Sequence, residues 1–146
     1  MKIAIASDHA GFEMKEDLCT FLRSEGYEVK DFGTNSLDSC DYPDYAHPLA
    51  ESVEKGESQF GVVICGSGNG VCMTVNKHAG IRGALVWNEE LADLARRHNN
   101  ANVLCLPARY ITLEEGRALT WHFLHAGFEG GRHEKRIEKI AVKENA

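Results

Sequence analysis

Residues 60–71 read FGVVICGSGNGV, an apolar run that ends in a cysteine and passes straight into a turn with glycine at every second position. A short continuous apolar run bounded by glycine is the pattern of a strand buried on both faces. Such strands belong to parallel sheets, whose crossovers are helices. The flanking sequence supplies both. Strand signals at 2–6 (KIAIA), 27–32 (YEVKDF), 83–87 (GALVW) and 102–106 (NVLCL) alternate with helical stretches at 12–24, 45–54, 71–78, 89–97, 113–125 and 134–141. Gly26 stops the first helix, and Asn88 is placed to cap the fourth. The alternation predicts an α/β fold over residues 1–146: one doubly wound, Rossmann-like domain with a five-stranded parallel sheet and helices on both faces. The common strand order for five strands is 2-1-3-4-5, which opens a crevice beyond the carboxyl ends of the first and third strands.

Composition narrows the function. Hydrophobic residues make up 43% of the chain and charged residues 26%, as in an ordinary soluble globular protein. A net charge of −6 leaves no basic surplus to meet phosphates, so no nucleic-acid partner is expected. The apolar start is too short for a signal peptide and no stretch could span a bilayer, so no membrane association is expected either. Five cysteines without a CxxC pair look like free thiols in a reducing compartment, which points to the cytoplasm. Neither an internal repeat nor a linker is visible.

The residues after the first and third strands are SDHAG (7–11) and CGSGNG (65–70), so the two polar, glycine-containing turns fall where the topology places a ligand. Gly66, Gly68 and Gly70 allow positive φ and close approach to backbone amides, the makings of an anion site at a helix N-terminus. Known phosphate loops do not fit. No Lys-Ser/Thr pair follows, the third glycine comes too early for the dinucleotide fingerprint, and Val71 stands where a cysteine-loop phosphatase needs arginine. What remains is Cys65 beside an anion hole. A thiolate there can attack a carbonyl, or take a proton next to one while the amides hold the enediolate.

Other polar residues offer two readings each. Asp8 and His9 face the crevice and suit hydroxyls or a phosphate, while Asp8 also suits a helix N-cap. Arg132 and Arg136 share one helix face, either as a phosphate clamp or as a solvated charged surface. His98, next to Asn99, either shuttles protons or caps a helix C-terminus. His122 and His125 share a face but lack a third ligand, so no metal site is expected. Cys19, Cys72 and Cys105 read as packing, and Cys40 as a loop residue without a partner.

SDHAG (7–11), DYPDYA (41–46), CGSGNG (65–70), NKHAGIRG (76–83), RHNNANVL (97–104) and GGRHEKR (130–136) together resemble the ribose-5-phosphate isomerase B family, in order along nearly the whole chain. The resemblance implies interconversion of an aldose phosphate and a ketose phosphate, chiefly ribose 5-phosphate and ribulose 5-phosphate, without metal or other cofactor. It makes Cys65 the base and residues Gly66, Ser67, Gly68, Asn69 and Gly70 the enediolate-binding hole. Asp8 and His9 then contact the sugar, His98 assists ring opening, and Asn99, Arg109, Arg132 and Arg136 complete substrate and phosphate binding. Some members of that family carry a glutamate base just after the last glycine; Val71 stands there in this chain, leaving Cys65 without a rival. Related isomerases of six-carbon sugar phosphates, such as allose or galactose 6-phosphate, remain an alternative, as does a phosphosugar- or nucleotide-binding module without catalysis. One geometric expectation concerns assembly. His98 precedes the fifth strand and Cys65 ends the third, so a strand length of about 16 Å separates them, at roughly 3.3 Å per residue. That predicts a homodimer with shared sites, or a tetramer built from it.

Overall fold

Five strands pair in parallel in the order β2-β1-β3-β5-β4 in the structure, a computed structural model that describes residues 1–143. The strands are β1 (Lys2–Ser7), β2 (Glu28–Asp31), β3 (Phe60–Cys65), β4 (Gly83–Leu85) and β5 (Val103–Pro107). The helices are α1 (Phe12–Ser24), α2 (Pro43–Glu54), α3 (Asn69–Val75), α4 (Glu89–Arg97), α5 (Leu113–His125) and α6 (Arg132–Glu138). The doubly wound α/β architecture is as expected. The order is not: β4 and β5 exchange places relative to 2-1-3-4-5. The reason lies in their side chains. All of β5 is buried, whereas β4 is three half-exposed residues, too short and too small to fill a central position. β2, with alternating exposure, forms the other edge.

Alternate residues divide the core into two layers. Ile3, Ile5, Val62, Ile64, Leu104 and Leu106 face α1, α4 and α5, where Leu18, Leu22, Ala92, Ala95, Leu119 and Phe123 meet them. Ala4, Ala6, Val63, Cys65, Val103 and Cys105 face α2 and α3 through Leu49, Ala50, Val53, Val71 and Val75. Helix α6 joins neither layer and buries no residue. Several helices begin earlier than the periodicity predicts. α2 starts at Pro43, whose fixed φ and missing N–H suit a first turn, and α3 starts at Asn69, inside the glycine turn. α5 carries a capping box, with Thr112 and Glu115 each bonding the other's backbone N–H.

The register brings three strand ends out together. Ser7 pairs with Ile64, and Cys65 with Pro107, so the segments after β1, β3 and β5 emerge level at one edge. The chain leaving β2 joins them, because Ser7 donates its N–H to Gly33 O at 2.8 Å and Thr34 donates to Ser7 O at 2.9 Å. A buried lysine secures that loop. Lys15, with no exposed surface, places Nζ 2.7 Å from both Asp31 Oδ2 and Glu16 Oε1, while Asp31 Oδ1 accepts from the Gly33 N–H at 2.8 Å.

Burial alone would depress the Lys15 pKa, but its hydrogen bonds to Asp31 and Glu16 outweigh burial and raise it above 10.5. A raised lysine contributes stability that is fully present below the unfolded value and lost as pH rises through the folded one. Lys15→Met should therefore cost about 2–3 kcal/mol at neutral pH in urea unfolding, at the low end for a broken buried pair because water reaches both carboxylates. The gap between the two proteins should narrow above pH 10.5. Equal stability at pH 7 would show that the pair only breaks even.

Candidate active site

The level strand ends frame a cleft of about 340 Å³. The segment after β1 contributes Asp8, His9 and Ala10; β3 and its turn contribute Cys65, Gly66, Ser67 and Gly70; the segment after β5 contributes Arg109 and Tyr110; Tyr42 closes the side next to α2. The exchanged strand order has its main consequence here. With β5 beside β3, Ala108 donates its N–H to Cys65 O at 2.9 Å and Arg109 donates to Gly66 O at 3.0 Å, which carries Arg109 into the cleft. Among the described residues its guanidinium has no ion-pair partner.

Cys65 ends β3 with its side chain on the α2–α3 face, 5% exposed. Of the three glycines in the turn after it, only Gly68 has positive φ, +76°. A Cβ there would lie 2.5 Å from Leu85 Cδ1, and little over 3 Å from the backbone of Leu106 and Pro107. Gly66 and Gly70 are needed for space. A Cβ on Gly66 would press on the Arg109 guanidinium at 3.1 Å, and one on Gly70 would strike the Tyr42 ring at 2.4 Å. The turn then becomes the first turn of α3, whose leading N–H groups have no intrahelical acceptor. Ser67 Oγ accepts from Asn69 N–H at 3.3 Å. Gly68 and Asn69 shape the turn without lining the cleft.

Across the cleft, Asp8 serves as an N-cap and also lines the cleft. Its Oδ1 caps the single 3-10 turn His9–Gly11 by accepting from Ala10 N–H at 2.9 Å and Gly11 N–H at 3.1 Å, and the side chain still lines the cleft. His9 Nδ1 accepts from the Cys40 N–H at 3.2 Å. A neutral His9 must then carry its proton on Nε2 and act as a donor from that atom. Cys40, without a partner in the sequence reading, thus sets the tautomer of His9 through its backbone.

The remaining predicted residues gather elsewhere. His98 C-caps α4, at the amino end of β5, and Asn99 follows it on the surface. The His98 ring stacks on His133 of α6 at 4.1 Å, and its Nε2 lies 3.5 Å from Glu129 Oε1. Arg97 grips the other Glu129 oxygen at 2.7 Å and holds that carboxyl below its ordinary range. Arg132 and Arg136 are exposed on α6, without ion pairs among the described residues. The structure therefore brings Asp8, His9, Cys65, Gly66, Ser67, Gly70 and Arg109 into one cleft. It places His98, Asn99, Arg132 and Arg136 toward the other end of the sheet.

The family model described as ribose/galactose isomerase matches residues 3–140. The chain belongs to this family. Ribose-5-phosphate isomerase B of Escherichia coli K12 is 41% identical over 143 residues, 98% of this chain and 96% of that protein. The solved structure of ribose-5-phosphate isomerase B from Clostridium thermocellum superposes with a TM-score of 0.95 at 45% identity, covering 96% of this chain and 95% of that one. The enzyme of the same type from Mycoplasma genitalium, solved with bound ribulose-5-phosphate, superposes with a TM-score of 0.92 at 47% identity, covering 95% and 93%. The chain is thus an isomerase of the ribose/galactose isomerase family. No helix among its described residues is long and apolar enough to cross a membrane.

Tyr42 and Tyr110 line the cleft but escaped the sequence reading. Tyr42 lies within DYPDYA, yet only its contact with Gly70 in space marks it. Glu129 and His133 were missed for the same reason. Cys72 packs against the core layer under α2 and α3, as expected of it, and its thiol is shifted as well. The hydrogen bond from Cys105 pulls its thiol down to about 7 against the effect of burial, helped by Asn76 Nδ2 at 3.5 Å. Burial pushes the Cys105 thiol well up and that of Cys19 to about 11. Alkylation of Cys72 by iodoacetamide should accordingly rise with pH to a plateau centred near pH 7, with Cys19 and Cys105 unlabelled in the folded protein. Peptide mapping by mass spectrometry across pH reads this directly. A midpoint at the ordinary value of 9.0 would remove the Cys105 contact from the account.

Proposed function

We propose that the protein interconverts ribose 5-phosphate and ribulose 5-phosphate, with Cys65 as the base. The observation that carries this reading is the placement of Cys65 in a cleft beside a turn with glycine at every second position, with Asp8, His9 and Arg109 around it. The relative solved with ribulose-5-phosphate bound supports the substrate class. In the open-chain aldose, the Cys65 thiolate takes the C2 proton. The C–H electron pair forms the C1–C2 double bond, and the carbonyl electrons move onto O1. Within the turn at Gly66–Gly70, the amides that face the cleft stabilise that oxyanion, each by a few kcal/mol once water is excluded. The thiol then returns its proton to C1 while the O2 hydroxyl proton passes to O1, giving the ketose. Asp8 Oδ2, without a hydrogen bond among the described residues, accepts from a sugar hydroxyl, and His9 donates from Nε2.

Ribose 5-phosphate is largely cyclic, so a proton relay for ring opening is also needed. His98 fills that role in this reading, with Asn99, Arg132 and Arg136 holding the remote end of the substrate and its phosphate. These residues sit beyond the amino end of β5, so they serve the cleft of a second copy of the chain, in a homodimer with shared sites. An α6 that adds no residue to the core of its own chain fits a helix that finishes a neighbour's site. The family's description spans ribose and galactose, so six-carbon sugar phosphates remain the second reading. Relative kcat/KM on ribose 5-phosphate against allose and galactose 6-phosphates decides between them.

Cys65→Ser should lower kcat by about 100- to 10,000-fold, the usual contribution of a positioned base, because serine is a far weaker base at neutral pH. Binding of ribose 5-phosphate, followed by calorimetry, should survive. Near-normal turnover in the variant would overturn the assignment of the base.

The shared site is tested by mixing. Cys65→Ala and His98→Asn subunits are each expected to be nearly inactive alone. After subunit exchange at equal ratio, half the dimers are hybrids, each with one site carrying both defects and one intact, so activity should return to about a quarter of the wild-type level. Hybrids that form and stay inactive would place His98 within its own chain's chemistry or outside the reaction.

A further inference from the structure

His98, Glu129 and His133 come from the end of α4, the segment before α6 and α6 itself, yet their ligand atoms all lie within 4.8 Å of one another. We propose that these three side chains form a binding site for a borderline-soft divalent ion such as Zn²⁺. We further propose that an ion seated there withdraws His98 from the isomerisation; this half rests on the role given to His98 above.

The distances carry the argument. His98 Nε2 is 3.5 Å and His133 Nε2 is 3.8 Å from the same oxygen, Glu129 Oε1. Ligands bound tetrahedrally to zinc at about 2.0–2.1 Å stand roughly 3.3 Å apart, so each imidazole–carboxylate pair needs to close by only about half an ångström or less, and the two imidazole nitrogens, within 4.8 Å of each other, by at most about 1.5 Å. The two rings are stacked at 4.1 Å and 13°, with both Nε2 atoms near that oxygen. Stacked rings aim their lone pairs side by side, so a modest rotation of each about its side-chain bonds makes them converge. The carboxylate is already held. Arg97 donates to Glu129 Oε2 from Nε at 2.9 Å, and the Glu129 N–H donates to Arg97 O at 3.0 Å, which leaves Oε1 facing the imidazoles. An outer partner that orients a ligating carboxylate is the usual support of a metal site.

Ligand chemistry selects the ion. Two imidazoles and one carboxylate suit Zn²⁺ or Co²⁺, whereas Mg²⁺ and Ca²⁺ call for oxygen ligands. Three protein ligands leave a fourth position for water. The side chains are 35%, 38% and 11% exposed for His98, Glu129 and His133, so an ion has a path in. The competing reading makes the cluster a clasp in which Arg97–Glu129 and the ring stack tie α6 to α4. A clasp alone has no metal affinity.

The test uses the full-length protein freed of metal by chelation and titrated with Co²⁺. One equivalent per chain should give the visible absorption of tetrahedral cobalt without a thiolate charge-transfer band, and Zn²⁺ should displace it. His133→Gln should weaken the binding at least about 100-fold, since it removes a direct ligand where even outer partners are worth 10- to 100-fold. Cys65→Ser and Cys72→Ser should leave it unchanged. In activity assays Zn²⁺ should inhibit the wild type reversibly, while His133→Gln should keep its basal turnover and lose sensitivity to zinc. The site is overturned if no cobalt spectrum appears, if the spectrum survives His133→Gln, or if it carries a thiolate band that Cys72→Ser removes. Spectroscopic binding with unaltered turnover would overturn the inhibitory half and count against the reactive role of His98. Absent binding, with His98→Asn still inactive, would overturn the metal site alone.

Discussion

At the end of β3 the chain must turn directly against the backbone of β5. Gly68 would place a Cβ 3.1 Å from the Leu106 carbonyl carbon and 3.2 Å from the Pro107 nitrogen, with φ at +76°. β5 cannot retreat, because it is fully buried between two layers of helices. The turn therefore lies low over the sheet edge, and α3 begins inside it. Cys65 keeps its side chain in the cleft, while the next residues offer backbone where side chains would otherwise stand. The space left over Gly66 and Gly70 is filled from outside the turn, by Arg109 and Tyr42.

That packing works only with β5 next to β3. In the alternative order β4 would occupy that place, and the segment after β4 would reach the cleft instead of Arg109 and Tyr110. On the other flank, the loop after β2 runs beside the end of β1 and is held by charge inside the core. The Lys15–Asp31 pair fixes Gly33, which pairs with Ser7; further along the same loop, the Cys40 amide fixes His9. A buried ion pair is weak evidence for stability by itself, but here it ties the conformation of a cleft-forming loop to the sheet.

The polar residues divide into two groups at opposite ends of the sheet, and α6 carries the second group without a core face of its own. Within the proposed mechanism this division is what makes a second copy of the chain necessary. It also gives His98 two sets of neighbours: a sugar phosphate across the interface, and Glu129 and His133 within its own chain.

Local pattern was enough to reveal the parallel α/β architecture, the glycine turn after β3 and the cysteine at its start. A fully apolar strand such as FGVVIC requires cover on both faces, and three alternating glycines leave few other uses for a turn. The motif SDHAG likewise marked Asp8 and His9. Strand order was decided by tertiary packing, because GALVW and NVLCL look alike as apolar runs and only the volume between the helical layers makes one central and the other an edge. Tyr42, Tyr110 and the joining of His98 to Glu129 and His133 belong to the same class. Their meaning lies in distances between segments remote in sequence, and such distances exist only once the chain has closed on itself.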